Sequence, residues 1–307
     1  MIRRIALVLI AASGVSRAEP HLVALAPGGD DARQAVAIGA AGEVYEPDGK
    51  GSWVHRLPTT TATPLEAAGR AGDAVVAIGD GVVYRLAGNG WSAIRLVQHG
   101  KAVLGAGAPG HAVAAVGRQV FALDQLTRGE PTKLIQAPAA VIAIAASGKA
   151  IVIATDAATY RAELGGKAGK LTALPPGARH ARLISDRWAI SDRGALELPA
   201  VKLTKWPTGL TIGPATAGAD DALVAIGSSR AGLELVTVRA GKLPEREPIT
   251  GVAAGAVAVG VVVDRQGRAV VALADGRLAV RSKAGWTTTD VRDELPAEHP
   301  GAGPATQ

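Results

Sequence analysis

The 307-residue chain contains no cysteine at all. That excludes disulfides, thiol catalysis, zinc ribbons and a lipid-attachment cysteine, so any fold must stand on its apolar core. Aromatic residues are scarce as well, with one Phe, three Tyr and five Trp making up 3% of the chain. This is too few for the aromatic girdles of a membrane β-barrel. Long apolar runs are missing. Ile5–Ala12 and the thirteen residues from Gly251 to Val263 both fall short of the ~20 that a spanning helix needs. No run of Lys or Arg with interleaved aromatics speaks for nucleic acid.

The usual chemical motifs are absent too. The six histidines, at 21, 55, 99, 111, 180 and 299, show neither H-x-H nor H-x-x-x-H spacing, so no metal site is expected. Gly105, Gly107 and Gly110 match the dinucleotide fingerprint, but Pro109 and the strand-like Ala112–Val116 follow where a helix N-terminus would have to meet the pyrophosphate. That match reads as a turn, and no cofactor is expected. No G-x-S-x-G elbow is present, and no catalytic residue is assigned.

What is present begins with export. Arg3 and Arg4, the apolar run Ile5–Ala12, and Ser16 and Ala18 at signal-peptidase spacing mark residues 1–18 as a signal peptide and predict a mature N-terminus at Glu19. The expected location is periplasmic or extracellular, with no integral membrane span once the signal is cleaved. Removing Arg3, Arg4 and Arg17 from 33 basic residues leaves 30 against 27 acidic ones, a net charge of +3 in place of +6. At the far end, residues 295–307 are dense in Pro, Gly and Ala and read as a disordered tail. Residues 19–294 lie between.

A repeat fills that span. Val75–Ile78 is a short β-branched run, Asp80 and Gly81 suit a tight hairpin turn, Val82–Leu86 is a second run, and Trp91–Leu96 alternates like a third strand. Further copies lie at Ala35–Tyr45, Ala112–Leu123, Ala150–Ala162, Arg187–Leu198, Ala222–Val236 and Ala269–Arg281. Asp80 to Asp275 and Trp91 to Trp286 are each 195 residues apart, which is five steps of 39. Seven copies of about 38–39 residues predict an all-β, seven-bladed β-propeller. Its innermost strands are expected at His21–Leu25, Leu65–Ala68, Lys101–Ala106, Ala140–Ala145, His180–Ser185, Leu210–Pro214 and Ala256–Val263, the last with an extra hairpin in its approach. Trp53, Trp91 and Trp286 recur at one place in the unit and should pack between neighbouring blades. Trp188 and Trp206 fall out of register.

Gly42, Val44 and Tyr45 with Trp53, and Gly81, Val83 and Tyr84 with Trp91, resemble repeats of tectonin-type propellers, a resemblance that implies recognition of carbohydrate or lipid. The stretch from Ser191 to Gly194 is distantly similar to the Asp-box of sialidase-like propellers, but Asp192 directly follows Ser191 and the closing Trp is missing.

Together these features point to a non-enzymatic recognition or scaffold propeller whose partner is a protein, glycan or lipid and not nucleic acid. The alternative is a propeller-fold hydrolase or lyase acting on extracellular carbohydrate. In a propeller the turns between second and third strands ring one channel mouth, and here they carry Asp80, Arg118, Asp156, Asp192, Arg193, Arg230, Asp275 and Arg277. Arg118, Arg193 and Arg277, with Asp80 and Asp275, are the expected ligand contacts, because arginine's planar donors suit anionic or sugar groups. Turn chemistry alone also accounts for the aspartates.

Overall fold

A computed structural model describes residues 21–28, 31–57, 61, 63–72, 74–87, 90–94, 96, 100–106, 112–123, 131–146, 150–163 and 171–292. The expected signal and tail, His99, His111, His299 and Gly107–Gly110 lie outside the described residues. Among the described residues are 28 strands, joined only by short links and 3-10 turns. No helix among them is long and apolar enough to cross a membrane.

The hairpin read at residues 74–87 forms as the turn residues dictate. Asp80 and Gly81 both take positive φ, 46° and 75°, so that two residues reverse the chain between β6 (Ala74–Gly79) and β7 (Val82–Ala87). Every residue of β6 is buried, as in β10 (Ala112–Val116), β14 (Ala150–Thr155) and β26 (Ala269–Leu273). These second strands are covered on both faces by neighbouring sheets, which is why they read as continuous apolar runs and not as alternation.

Consecutive strands pair antiparallel to give five four-stranded blades, β5–β8 (67–93), β9–β12 (102–136), β13–β16 (141–173), β17–β20 (182–205) and β21–β24 (211–248). The expectation of seven separate blades needs correcting here. The first repeat, β1–β4 (22–57), and the last, β25–β28 (258–292), are fused into one eight-stranded sheet, in which β4 (Trp53–Leu57) and β28 (Gly285–Arg292) pair in parallel, Val291 opposite Trp53 and Arg292 opposite Val54. The physical cause is length. β28 has eight residues where the other outermost strands have two to five, and its last two reach past the hairpin to the next sheet.

Apolar clusters fill the spaces between successive sheets. Val36 and Ile38 meet Val75 and Ala77, Val76 and Val83 meet Ala112 and Ala114, and Val113 and Val120 meet Ile144 and Ile151. The series continues with Val152 against Leu196, Trp188 against Leu223 and Val236, and Ile226 against Leu273. Leu22, Tyr45 and Trp53 then meet Val262, Leu278 and Val291, so the last repeat packs on the first and the ring is closed. The recurrent tryptophans sit in these clusters. Trp91 donates its indole N–H to the Gly42 carbonyl at 2.8 Å, Trp286 to Glu247 Oε1 at 2.8 Å, and Trp53 to the Ala35 carbonyl at 2.7 Å within its own repeat.

The innermost strands overlap the expected segments with small shifts. β5 (Ala67–Ala71) begins two residues later than read, and the approach to β25 (Ala258–Val263) is a run of turns without the extra hairpin. Its glycines at 251 and 255 take φ of 77° and 81°, conformations that turn the chain instead of extending it. Where innermost strands converge, side chains have no room. A Cβ at Gly105 would lie 2.4 Å from the Ile144 carbonyl oxygen, so this glycine marks close approach of β9 (Ala102–Ala106) to β13 (Val141–Ala146). Gly105→Ala is therefore expected to destabilise the protein by about 1–3 kcal/mol through forced backbone displacement, read as a lower denaturant midpoint at unchanged m-value.

Candidate functional site

Links leaving several sheets fold back on each sheet's own turn between second and third strands. The Ala102 amide donates to the Gly81 carbonyl at 2.8 Å, Ala137 to Arg118 at 2.7 Å, Val141 to Gly117 at 2.7 Å and Trp206 to Arg193 at 3.4 Å. The polar mouth is thus a built surface, and half of its charged side chains are already partnered. Asp80 is exposed and pairs with Lys101 at 3.0 Å, a hydrogen bond that holds the lysine above its ordinary pKa. Arg118 Nε donates to the Ala137 carbonyl at 2.9 Å. Asp275 accepts from Arg277 Nε at 3.0 Å and Nη2 at 2.5 Å, which holds its carboxyl below the usual range and the guanidinium above it. The Asp156 carbonyl is taken by Arg179 Nη2 at 2.8 Å. Asp192, Arg193 and Arg230 are exposed.

Among the described residues, two cavities open at the centre and mouth of the ring. The first, about 220 Å³, is the channel itself, walled by innermost strands that contribute Ala24, Ala68, Ala215 and Gly260, together with Glu66 and Arg182. The second, about 500 Å³, is a cleft between the β17–β20 and β21–β24 sheets at the polar mouth, lined by His180, Arg182, Ser191, Asp192 and Trp206 with the aliphatic wall Ile190, Leu210 and Ile212. Its origin is a mismatch of lengths. β17 (Arg182–Leu183) has two residues and β18 (Trp188–Ile190) three, whereas the adjoining β21 (Thr211–Ala217) has seven, so the upper part of β21 is left uncovered.

Arg182 is the residue the two linings share, which places it at the throat between cleft and channel. Its Nη2 donates to the Gly213 carbonyl. Among the described residues no carboxylate pairs with it, and crowding by the walls, the sole cause, lowers its pKa from the ordinary guanidinium value. The residue is nonetheless exposed, its side chain open to water in the cavities. Trp206 is half-buried and pinned by its indole N–H to the Ser191 carbonyl at 2.8 Å, so one part of the ring packs on Leu210 and Ile212 while the rest lines the cleft. His180 lies in the turn two residues before β17 with φ of 64°, a left-handed conformation that is uncommon outside glycine and gathers at functional sites.

Of the mouth residues read from the sequence, Asp192 lines this cleft and Arg193 is its chain neighbour; Asp80, Arg118, Asp275 and Arg277 belong to the turns of other sheets and line neither cavity. Arg182 and His180 were missed, although one signal was visible. Among the segments read as innermost strands, which are mostly small and apolar, only that of 180–185 contains an arginine. The repeat is also most worn there, and a worn repeat is where a regular ring acquires an irregular surface.

No protein-family profile matches the chain, and no curated protein is similar to it. Solved structures are similar in fold. YCF48 from Cyanidioschyzon merolae superposes with a TM-score of 0.56 at 14% identity, over 90% of this chain and 96% of that one. The WD40 β-propeller domain of Doa1 gives 0.58 at 13% identity, over 88% and 97%. PorZ, an essential surface component of the type-IX secretion system of Porphyromonas gingivalis, gives 0.56 at 11% identity, with 91% of this chain covering 39% of that one. At such identities the likeness shows the β-propeller fold alone.

Proposed function

We propose that the chain is an exported, non-enzymatic recognition or scaffold propeller that holds its partner in the cleft between β17–β20 and β21–β24. In this reading the eight-stranded sheet counts as the first and seventh blades joined at their outer strands, and the propeller has seven repeats. The supporting observation is the meeting of Arg182, His180, Asp192 and Trp206 around about 500 Å³ at one channel mouth. Concave sites with an apolar wall and a few convergent polar groups are where ligands bind. Export rests on the N-terminal charge and hydropathy pattern.

The hydrolase alternative is weaker, since Asp192 alone among the cleft-lining residues carries a carboxylate and glycoside hydrolysis ordinarily takes two. A screen of the full protein against immobilised glycans, lipids and envelope proteins, repeated with Trp206→Ala, tests the reading. The variant is expected to melt cooperatively and to bind at least about tenfold more weakly, the effect of losing an aromatic contact worth ~1.4 kcal/mol or more. A partner indifferent to Trp206→Ala but lost when Arg118, Arg193 and Arg277 are all alanine would move the site to the outer turns.

A further inference from the structure

We infer that the cleft takes a ligand with one carboxylate on a hydroxylated ring, an acidic sugar, and that Arg182 is the carboxylate's anchor. This rests on the recognition reading of the cleft and specifies its ligand.

The first ground is the account of cations around that mouth. Lys101 is neutralised by Asp80 and Arg277 by Asp275, Arg118 and Arg179 are committed to carbonyls, and Arg193 and Arg230 are exposed on turns outside the cleft lining. Arg182 differs from all of them. A guanidinium carries five N–H donors in a planar fork. Among the described residues only the Gly213 carbonyl accepts from it, and no acid faces it in an ion pair. Crowding by the channel walls disfavours its charge, yet arginine does not give up its proton in a protein. A bound anion would take up the fork's remaining donors in place of water.

The second ground is charge balance. The cleft lining contributes one guanidinium and one carboxylate, from Arg182 and Asp192. A dianion such as a phosphate monoester would have one fixed cation to satisfy two charges while also meeting Asp192. A single carboxylate is matched by the single fork.

The third ground is the rest of the wall. Trp206, Ile190, Leu210 and Ile212 offer an apolar face, and Ser191, Thr211 and Asp192 offer hydroxyls and a carboxylate that can bond to ligand hydroxyls. A sugar ring has this division, with a C–H face and a hydroxylated edge. A peptide C-terminus has the acid without the hydroxyls. Size agrees as well, since about 500 Å³ lies within the roughly 300–1,000 Å³ of small-ligand sites and the channel's 220 Å³ does not.

The test is calorimetric titration of the full protein with methyl glucuronide, methyl glucoside and the free acid of N-acetyl-alanyl-alanine. Methyl glucuronide is expected to bind about 10- to 100-fold more tightly than the glucoside, the value of a charge-assisted fork. Arg182→Ala should erase that preference while leaving the glucoside within about twofold, and Arg182→Lys should retain part of it. Equal binding of the two sugars, both lost in Trp206→Ala, would overturn the acid inference and leave the recognition cleft standing. A glucuronide preference that survives Arg182→Ala removes Arg182 as anchor. Binding of the dipeptide acid as tight as that of the glucuronide overturns the sugar, and no binding of either glycoside overturns this inference while the partner screen still decides the cleft.

Discussion

Asp264→Ala is expected to cost about 3–5 kcal/mol and to lower the melting temperature by roughly 10 °C. The carboxylate, whose side chain is 1% exposed, sits in the hairpin between β25 and β26 and accepts four hydrogen bonds. Oδ1 takes the amides of Gln266 at 2.8 Å and Arg268 at 3.0 Å; Oδ2 takes Arg268 Nε at 2.5 Å and the amide of Ala32 at 3.2 Å. Ala32 belongs to the 3-10 turn of the first repeat, 232 residues away, so this carboxylate latches the end of the chain onto its beginning. Truncation leaves a buried amide and a mostly covered guanidinium without their acceptor. Asp31→Ala is the control. Asp31 also meets Arg268, at 3.2 Å, but its side chain is 28% exposed and Arg268 keeps Asp264, so the loss should stay within about 1 kcal/mol. Chemical unfolding followed by circular dichroism reads both, and an Asp264→Ala midpoint equal to that of the parent would show that the ring closes without the latch.

Trp188→Ala is expected to be as damaging, about 3–5 kcal/mol. The residue is 1% exposed, packs against Leu223, Val236 and Val238 of the next sheet, and donates its indole N–H to the Asp221 carbonyl at 2.6 Å. It ties together the two sheets whose upper ends part to form the cleft. Trp206→Ala removes a half-buried ring and should cost roughly half as much at most. The out-of-register tryptophans thus divide their roles, one holding the cleft's sheets together and the other lining the cleft. Thermal melts of the two variants check this. Trp188→Phe, which keeps most of the volume, should recover all but about 1–2 kcal/mol. Equal losses for Trp188→Ala and Trp206→Ala would contradict the division.

The strands were legible because their causes are local. Alternating and continuous apolar runs, Asp80 and Gly81 at a turn that needs positive φ, and the 39-residue recurrence of Trp91 at Trp286 are all visible within a few residues or at a fixed step. The union of the first and last repeats was not, since it depends on β28 overrunning its hairpin and on a hydrogen bond spanning 232 residues. The polar mouth was half legible. The turn charges could be placed by topology, but whether a charge is free depends on its neighbours: Arg277 is answered by Asp275 two residues away, and Arg118 by a carbonyl in the following link. Arg182 was visible as the one arginine among the segments read as innermost strands, but the space around it follows from the shortness of β17 against β21, which no local pattern shows.

Amide hydrogen exchange of the full protein with and without saturating methyl glucuronide tests the cleft most directly. The account predicts slowed exchange confined to 180–183, 191–194 and 206–212, with the turns at 117–118 and 275–277 unchanged. Slowing at those outer turns, with the cleft segments indifferent, would contradict it.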